Sequence, residues 1–243
     1  MDTWRVWELV LPALERHHDV LAPTLPGHAG GPPLEGAVSG AALIDVVEQA
    51  MDEAGFETAR IVGNSLGGYV ALELAARGRA RSVVALAPAG SWSQGDESYT
   101  ETLAYQAAMQ AQVKAAAPYA ETLLATPEGR RRATQFISVN YEHIPAELLA
   151  HQMLGVATCK AAGPLIENAL REGWPLDAEK ITCPVRVLWG TEDKLLPWPS
   201  AAERFRAEWL PQADWVVLDG VGHCPQLDVP LETAQLILGF TVG

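Results

Sequence analysis

Gly63-Asn64-Ser65-Leu66-Gly67-Gly68 places a serine among glycines, directly after the apolar run Ala59-Arg60-Ile61-Val62 and directly before Tyr69-Val70-Ala71-Leu72. With a strand before it and a helix after it, Ser65 occupies a tight turn that needs small flanking residues, because the backbone is strained and its neighbours crowd it. Such a turn lifts the hydroxyl clear of a sheet, and the helix N-terminus directs partial positive charge at it. The bare pattern Gly-x-Ser-x-Gly also describes ordinary glycine-rich turns; its placement between strand and helix gives it chemical meaning. A serine hydroxyl is a weak nucleophile at neutral pH. It needs a base, and the base needs an acid to orient it.

Histidines stand at positions 17, 18, 28, 143, 151 and 223. His17 and His18 fall at a helix end, where a solvated cap explains them, and His143 and His151 lie within the strandless interval 91–177, where either could touch substrate but neither is well placed as base. His223 stands in Asp219-Gly220-Val221-Gly222-His223-Cys224-Pro225, a glycine loop just past a strand, and is the candidate base. For the acid, Gly190-Thr191-Glu192-Asp193 directly follows the strand Val185–Trp189. Parallel strands put their C-terminal ends on one rim, where Ser65, Asp193 and the His223 loop would converge. Asp193 is favoured, with Glu192 the neighbouring competitor.

The elements that must position these groups follow from apolar periodicity. Ala13–His17 closes a helical stretch, and Asp19–Pro23 reads as a short buried strand ending in the turn-rich Pro26–Pro33. Leu43, Val46, Val47, Ala50 and Met51 recur at helical spacing, so Gly40–Ala54 is an amphipathic helix. Thr58–Gly63 and Ser82–Ala87 read as strands around a helix Leu66–Arg77, and Val185–Trp189 and Trp215–Leu218 as strands around a helix near Ser200–Leu210. Pro230 opens a last helix, where its missing N–H costs nothing. Alternating strands and helices predict an α/β fold with a parallel sheet covered on both faces. The interval Ser91–Asp177 lacks any strand pattern and restarts helices at Thr126-Pro127 and Ile144-Pro145, predicting a helical cap insertion (91–177) over a core formed by 1–90 and 178–243.

Composition narrows the function classes. The chain has 243 residues, and apolar residues at 49% against 19% charged place it among globular proteins. A net charge of -13 repels phosphate backbones and anionic membranes, so nucleic acid and membrane partners are not expected. Cys159, Cys183 and Cys224 are too few and scattered for a disulfide framework and contain no Cys-x-x-Cys pair, which suits a reducing cytoplasm. The first residues lack the apolar region of a signal peptide, and no 18-residue apolar run exists. Arg130-Arg131-Arg132 fits a solvated helix face better than an anion site. Trp92, Phe136 and Trp198, with Trp174, are candidates for lining an acyl pocket beneath the insertion.

Three segments together resemble the α/β-hydrolase fold family, in its single-domain serine esterase form: Gly63–Gly68, Leu188-Trp189-Gly190-Thr191-Glu192-Asp193-Lys194-Leu195-Leu196-Pro197, and Gly222-His223. The order Ser, Asp, His is that family's order. Ala22–Gly30 also resembles the family's turn after its fourth strand, with Thr24 where Asp is usual. The resemblance implies an ester hydrolase working through an acyl-enzyme, with Ser65 as nucleophile, His223 as base, Asp193 as orienting acid, the Leu66 N–H as one oxyanion donor, and no metal or organic cofactor. Its substrate would be a small-molecule ester. Asn64 before the nucleophile resembles the branch that hydrolyses carbon–carbon bonds of ring-cleavage products, which makes Asn64 a substrate-binding candidate. Serine at this position sets the chain apart from haloalkane dehalogenases and epoxide hydrolases, which use Asp there. The family's first strands and His-Gly oxyanion loop have no counterpart before Met1. The resemblance therefore implies reduced activity or a degenerate binding protein, a truncated chain, or a sheet in which Asp19–Pro23 pairs with Thr58–Gly63 or a second copy fills the gap as a homo-oligomer. A substitute donor is expected from the Gly27–Gly31 turn.

Overall fold

The computed structural model describes residues 1–33, 36, 39–92 and 97–242. A 3-10 turn, Trp4–Trp7, leads into α1 (Leu11–Leu14) and, after an irregular stretch, α2 (Gly40–Glu53). Then come β1 (Ala59–Asn64), α3 (Leu66–Ala76) and β2 (Ala80–Leu86). A helical stretch follows, comprising α4 (Glu97–Ala116), α5 (Ala120–Leu124), α6 (Pro127–Thr134), α7 (Ala146–Thr158) and α8 (Ala162–Glu172). The chain returns to the sheet as β3 (Val185–Gly190) and β4 (Asp214–Leu218), and ends in α9 (Pro225–Asp228) and α10 (Pro230–Thr241).

The sheet has four strands in the order β1-β2-β3-β4, all parallel. Its strands are nearly continuous apolar runs because both faces are covered. Val83, Ala85, Val187 and Trp189 share one buried cluster with Leu72 of α3 and Phe205. The alternate residues Val84, Leu86, Leu188 and Leu218 pack on Val10, Leu14 and Ile237 from α1 and α10. Asn64 pairs with Leu86, Leu86 with Leu188, and Gly190 with Leu218, so the C-terminal ends of the strands fall on one rim.

Local chemistry sets the helix starts. Ser39 accepts a bond from the Ala42 amide at 3.1 Å to open α2, and Thr126 accepts one from Gly129 at 3.0 Å to open α6. α2 buries Leu43, Ile44, Val47 and Met51; Ile44, Val47 and Met51 pack on Tyr69, Val70 and Leu74 of α3, and Leu43 on Ala161, Ala162 and Leu165. The helices α4–α8 occupy the expected interval between β2 and β3, of which residues 93–96 lie outside the described residues.

Two expectations change. The segment near Ser200–Leu210 is a 3-10 turn (Ser200–Ala202) and a π-type turn (Phe205–Trp209) in place of a regular helix. Asp19–Pro23 is not a strand; it joins no ladder, and β1 pairs with β2 alone among the described residues. A short apolar run ending at Pro favours extended backbone without specifying a partner. Here Val20 packs toward the α1 and α10 side, and residues 19–25 and 58–65 line one shared cavity.

Candidate active site

Ser65 joins β1 to α3 with φ 56 and ψ -119, a left-handed-side conformation that costs energy in any residue but glycine. The surroundings hold it there. The Ser65 amide donates to the Leu86 carbonyl at 2.9 Å, and the Ser65 carbonyl accepts from Tyr69 at 3.1 Å and Ala89 at 3.0 Å. A Cβ on Gly63 would lie 2.0 Å from the Gly67 carbonyl oxygen, and one on Gly68 would lie 3.0 Å from Pro88. Gly67 has open space around it, so of the three glycines only Gly63 and Gly68 are required by contact. The Leu66 amide, in the first turn of α3, has no acceptor among the described contacts and borders the cavity.

β3 ends at Gly190, and the following loop turns Asp193 inward while Glu192 stays exposed. Asp193 is 4% exposed. One of its oxygens accepts from the Leu195 and Leu196 amides at 2.9 and 2.7 Å, and the other pairs with His223 Nδ1 at 2.7 Å. Trp189, fully buried, donates its indole N–H to the Leu196 carbonyl at 2.9 Å and so braces the same loop. With Nδ1–H on the carboxylate, Nε2 of His223 is left as the nitrogen that can take a proton. Ser65, Leu66 and His223 line a cavity of about 750 Å³. That arrangement offers a hydroxyl, an imidazole oriented by a buried carboxylate, and an unused amide donor around one space. These are the components of acyl transfer.

The substrate-binding candidates separate. Trp92 and Trp174 line the cavity. Phe136 and Trp198 do not: Phe136 packs edge-on against Tyr105, and Trp198 lies between Trp189 and Trp215 beneath the Arg206 guanidinium. Both are apolar residues satisfied by neighbouring aromatic rings. Asn64 lines the cavity, but its amide is engaged within the protein. Its Nδ2 donates to the carbonyls of Leu86 (3.1 Å) and His223 (3.0 Å), while Oδ1 accepts from Gln226 Nε2 and Cys224 Sγ. Asn64 thus ties the serine turn to the histidine loop. Burial raises the Cys224 thiol well above its usual range, so it stays protonated.

In the Gly27–Gly31 turn, offered above as the source of a substitute donor, the amides of Gly27, His28 and Gly31 donate to the Pro32, Leu25 and His28 carbonyls, and His28 lines the cavity. Thr24 accepts from the Trp4 amide at 3.1 Å. His28 is a cavity residue that pattern reading left without a role. Its Nδ1 faces the Pro26 carbonyl at 3.2 Å, and burial lowers its pKa to about 4, so it stays neutral. Three other histidines have partners within the protein: His143 on the Leu227 carbonyl, His151 on Thr3 and His18 on Thr241. Arg130 binds the Glu142 and Ile144 carbonyls and Arg131 pairs with Glu128, as on a structural helix face.

A parallel sheet covered on both faces, with a strained serine turn after one strand and a buried carboxylate–imidazole pair after two others, defines an α/β-hydrolase architecture. Residues 1–236 match the alpha/beta hydrolase family, and the chain belongs to it. It is 37% identical over 204 residues to Epoxide hydrolase EphH of Mycobacterium tuberculosis, covering 84% of this chain and 95% of that one. It is 28% identical over 241 residues to a pimeloyl-acyl-carrier-protein methyl ester esterase of Aromatoleum aromaticum, covering 96% and 91%. The solved enol-lactonase of Burkholderia xenovorans LB400 shares the fold at TM-score 0.73 and 20% identity, over 100% of this chain and 88% of that one. The protein is a hydrolase of this family.

Proposed function

We propose that the protein hydrolyses small carboxylic esters through an acyl-enzyme formed on Ser65. The observation that carries this reading is the buried 2.7 Å contact between Asp193 and His223 Nδ1, on the rim where Ser65 and the unused Leu66 amide border one cavity. Ser65 Oγ attacks the ester carbonyl carbon while His223 Nε2 takes its proton. The tetrahedral oxyanion is met by the Leu66 N–H, and collapse expels the alcohol, which leaves with the proton from Nε2. Water then gives its proton to Nε2, its oxygen attacks the acyl carbon, and the acid is released as Oγ recovers the proton. Asp193 stabilises the imidazolium formed in each half. Trp92 and the apolar residues contributed by α4 and α7, among them Met109, Val113, Leu149 and Met153, would contact the acyl group.

The relative named an epoxide hydrolase favours a second reading, and the nucleophile separates the two. Attack of a serine oxygen on an epoxide carbon yields a serine ether, which has no carbonyl for water to attack and so cannot turn over. Epoxide hydrolysis here would need His223 to activate water directly, without Ser65. Turnover of p-nitrophenyl esters of increasing acyl length, alongside styrene oxide, by the parent and by Ser65→Ala tests both. The ester reading predicts ester turnover that Ser65→Ala abolishes. Epoxide turnover that survives Ser65→Ala, with no ester turnover in the parent, overturns it.

A further inference from the structure

Asp228 is 2% exposed, and its carboxylate is bonded by four uncharged donors drawn from two parts of the chain. Oδ2 accepts from the Gly222 amide at 2.6 Å and the Val139 amide at 2.9 Å. Oδ1 accepts from the Asn140 amide at 2.6 Å and from Asn140 Nδ2 at 2.9 Å. Gly222 immediately precedes His223, and residues 139 and 140 belong to the stretch between α6 and α7. On the other side of His223, the Cys224 amide donates to the Ile137 carbonyl at 2.8 Å. The residues before and after His223 are therefore both held by the segment 137–140, one through the Asp228 carboxylate and one directly. The packing at the junction is tight. A Cβ on Gly222 would lie 3.1 Å from Asp228 Oδ2, from the Ile137 oxygen and from Ser138 Cα. Ile137 also lines the cavity shared with Ser65, so this segment touches both the base loop and the substrate space.

We propose that Asp228 is a positioning residue that fixes the His223 loop to the helical insertion, so that imidazole placement and the cavity wall are set by one carboxylate. This rests on the reading of His223 as the general base. A carboxylate suits the task because both oxygens accept and can serve four donors. An amide of the same shape offers one accepting oxygen and turns an NH2 group toward N–H donors. In Asp228→Asn at least one of the two chain segments must shift, and a displacement near 1 Å of a catalytic group can cost about 100-fold in rate.

The test compares the rate constant for fluorophosphonate labelling of Ser65 in the parent and in Asp228→Asn, normalised to the reactive fraction from the labelling amplitude. The proposal predicts that the normalised rate constant falls about 10- to 100-fold. It also predicts a changed ratio of long-chain to short-chain p-nitrophenyl ester turnover. A merely structural role would lower the amplitude and the melting temperature and leave the normalised rate and chain-length ratio unchanged; that result overturns the proposal. If Asp228→Asn does not fold, Asn140→Ala decides, since it removes one donor and keeps the main-chain bonds. Slowing of about threefold or more supports the clamp, and parental kinetics overturn it. A parent that is not labelled overturns the reading of Ser65 and His223 itself, whereas a labelled parent with an unaffected variant overturns the clamp alone.

Discussion

At Ser65 a positive φ is imposed by three main-chain bonds and by the close approach of Gly63 to Gly67, and the hydroxyl of this residue is the proposed nucleophile. Ser65→Ala, His223→Ala and Asp193→Asn are each expected to lower kcat/KM on p-nitrophenyl acetate by about 10³- to 10⁴-fold. Double variants should be hardly worse than Ser65→Ala, because losses from groups that act as a unit do not add. Glu192→Gln, at an exposed position, should stay near parental activity, and a loss there with Asp193→Asn active would move the acid to Glu192. His28 gives a separate pH signature. Its folded pKa of about 4 lies below the ordinary histidine value of 6.5, so between these values the unfolded chain binds the extra proton. Stability contributed by neutral His28 is full above pH 6.5 and is lost as pH falls toward 4, on the order of 3 kcal/mol in all. Urea midpoints measured across that window should fall less steeply for His28→Gln than for the parent.

Elements and their order were largely legible in the sequence, because buried parallel strands such as Val83–Leu86 are continuous apolar runs and α2 shows one apolar stripe. What was not legible depended on a partner. Asp19–Pro23 has a strand-like composition, but composition carries no information about a neighbouring ladder. Phe136 and Trp198 have the residue type of a pocket wall, and only packing sends them to Tyr105 and to the Trp189–Trp215 cluster. Asn64 and Asp228 were hidden for the opposite reason. The resemblance offered Asn64 as a substrate contact and no pattern singled out Asp228, yet each bonds main-chain groups far away in sequence. The serine turn allows a sharp contrast between adjacent glycines. Gly63→Ala would drive a Cβ into a carbonyl and should destabilise by about 3 kcal/mol or more, at the upper end of single-substitution effects. Gly67→Ala sits in open space within α3 and should be neutral or stabilise by about 0.5–1 kcal/mol. Thermal unfolding of the two variants decides it, and equal losses would contradict the geometry.

For the whole molecule, the helical stretch and the sheet rim line one cavity, so the proposed reaction and substrate selection fall to different layers. The rim carries Ser65, Asp193 and His223. Helices α4 and α7 contribute Met109, Val113, Leu149 and Met153 to the cavity wall. Met109→Trp should therefore reduce turnover of p-nitrophenyl octanoate about tenfold more than that of the acetate, while leaving the unfolding midpoint nearly unchanged, because pocket volume discriminates at one to a few kcal/mol. An unchanged chain-length profile would remove the insertion from substrate selection. Among the described residues no helix is long and apolar enough to cross a membrane.

The proposed mechanism passes through a covalent ester on Ser65, and that species can be trapped. The parent is mixed with p-nitrophenyl acetate, acid-quenched within the first turnover and digested for peptide mass analysis. The expected product is one acetyl group on the peptide containing Gly63-Asn64-Ser65-Leu66-Gly67-Gly68, accumulating further in Asp193→Asn if deacylation becomes the slower half, and absent in Ser65→Ala. Ester turnover with no acylated peptide at any quench time, or acetyl retained at the same level in Ser65→Ala, would contradict it.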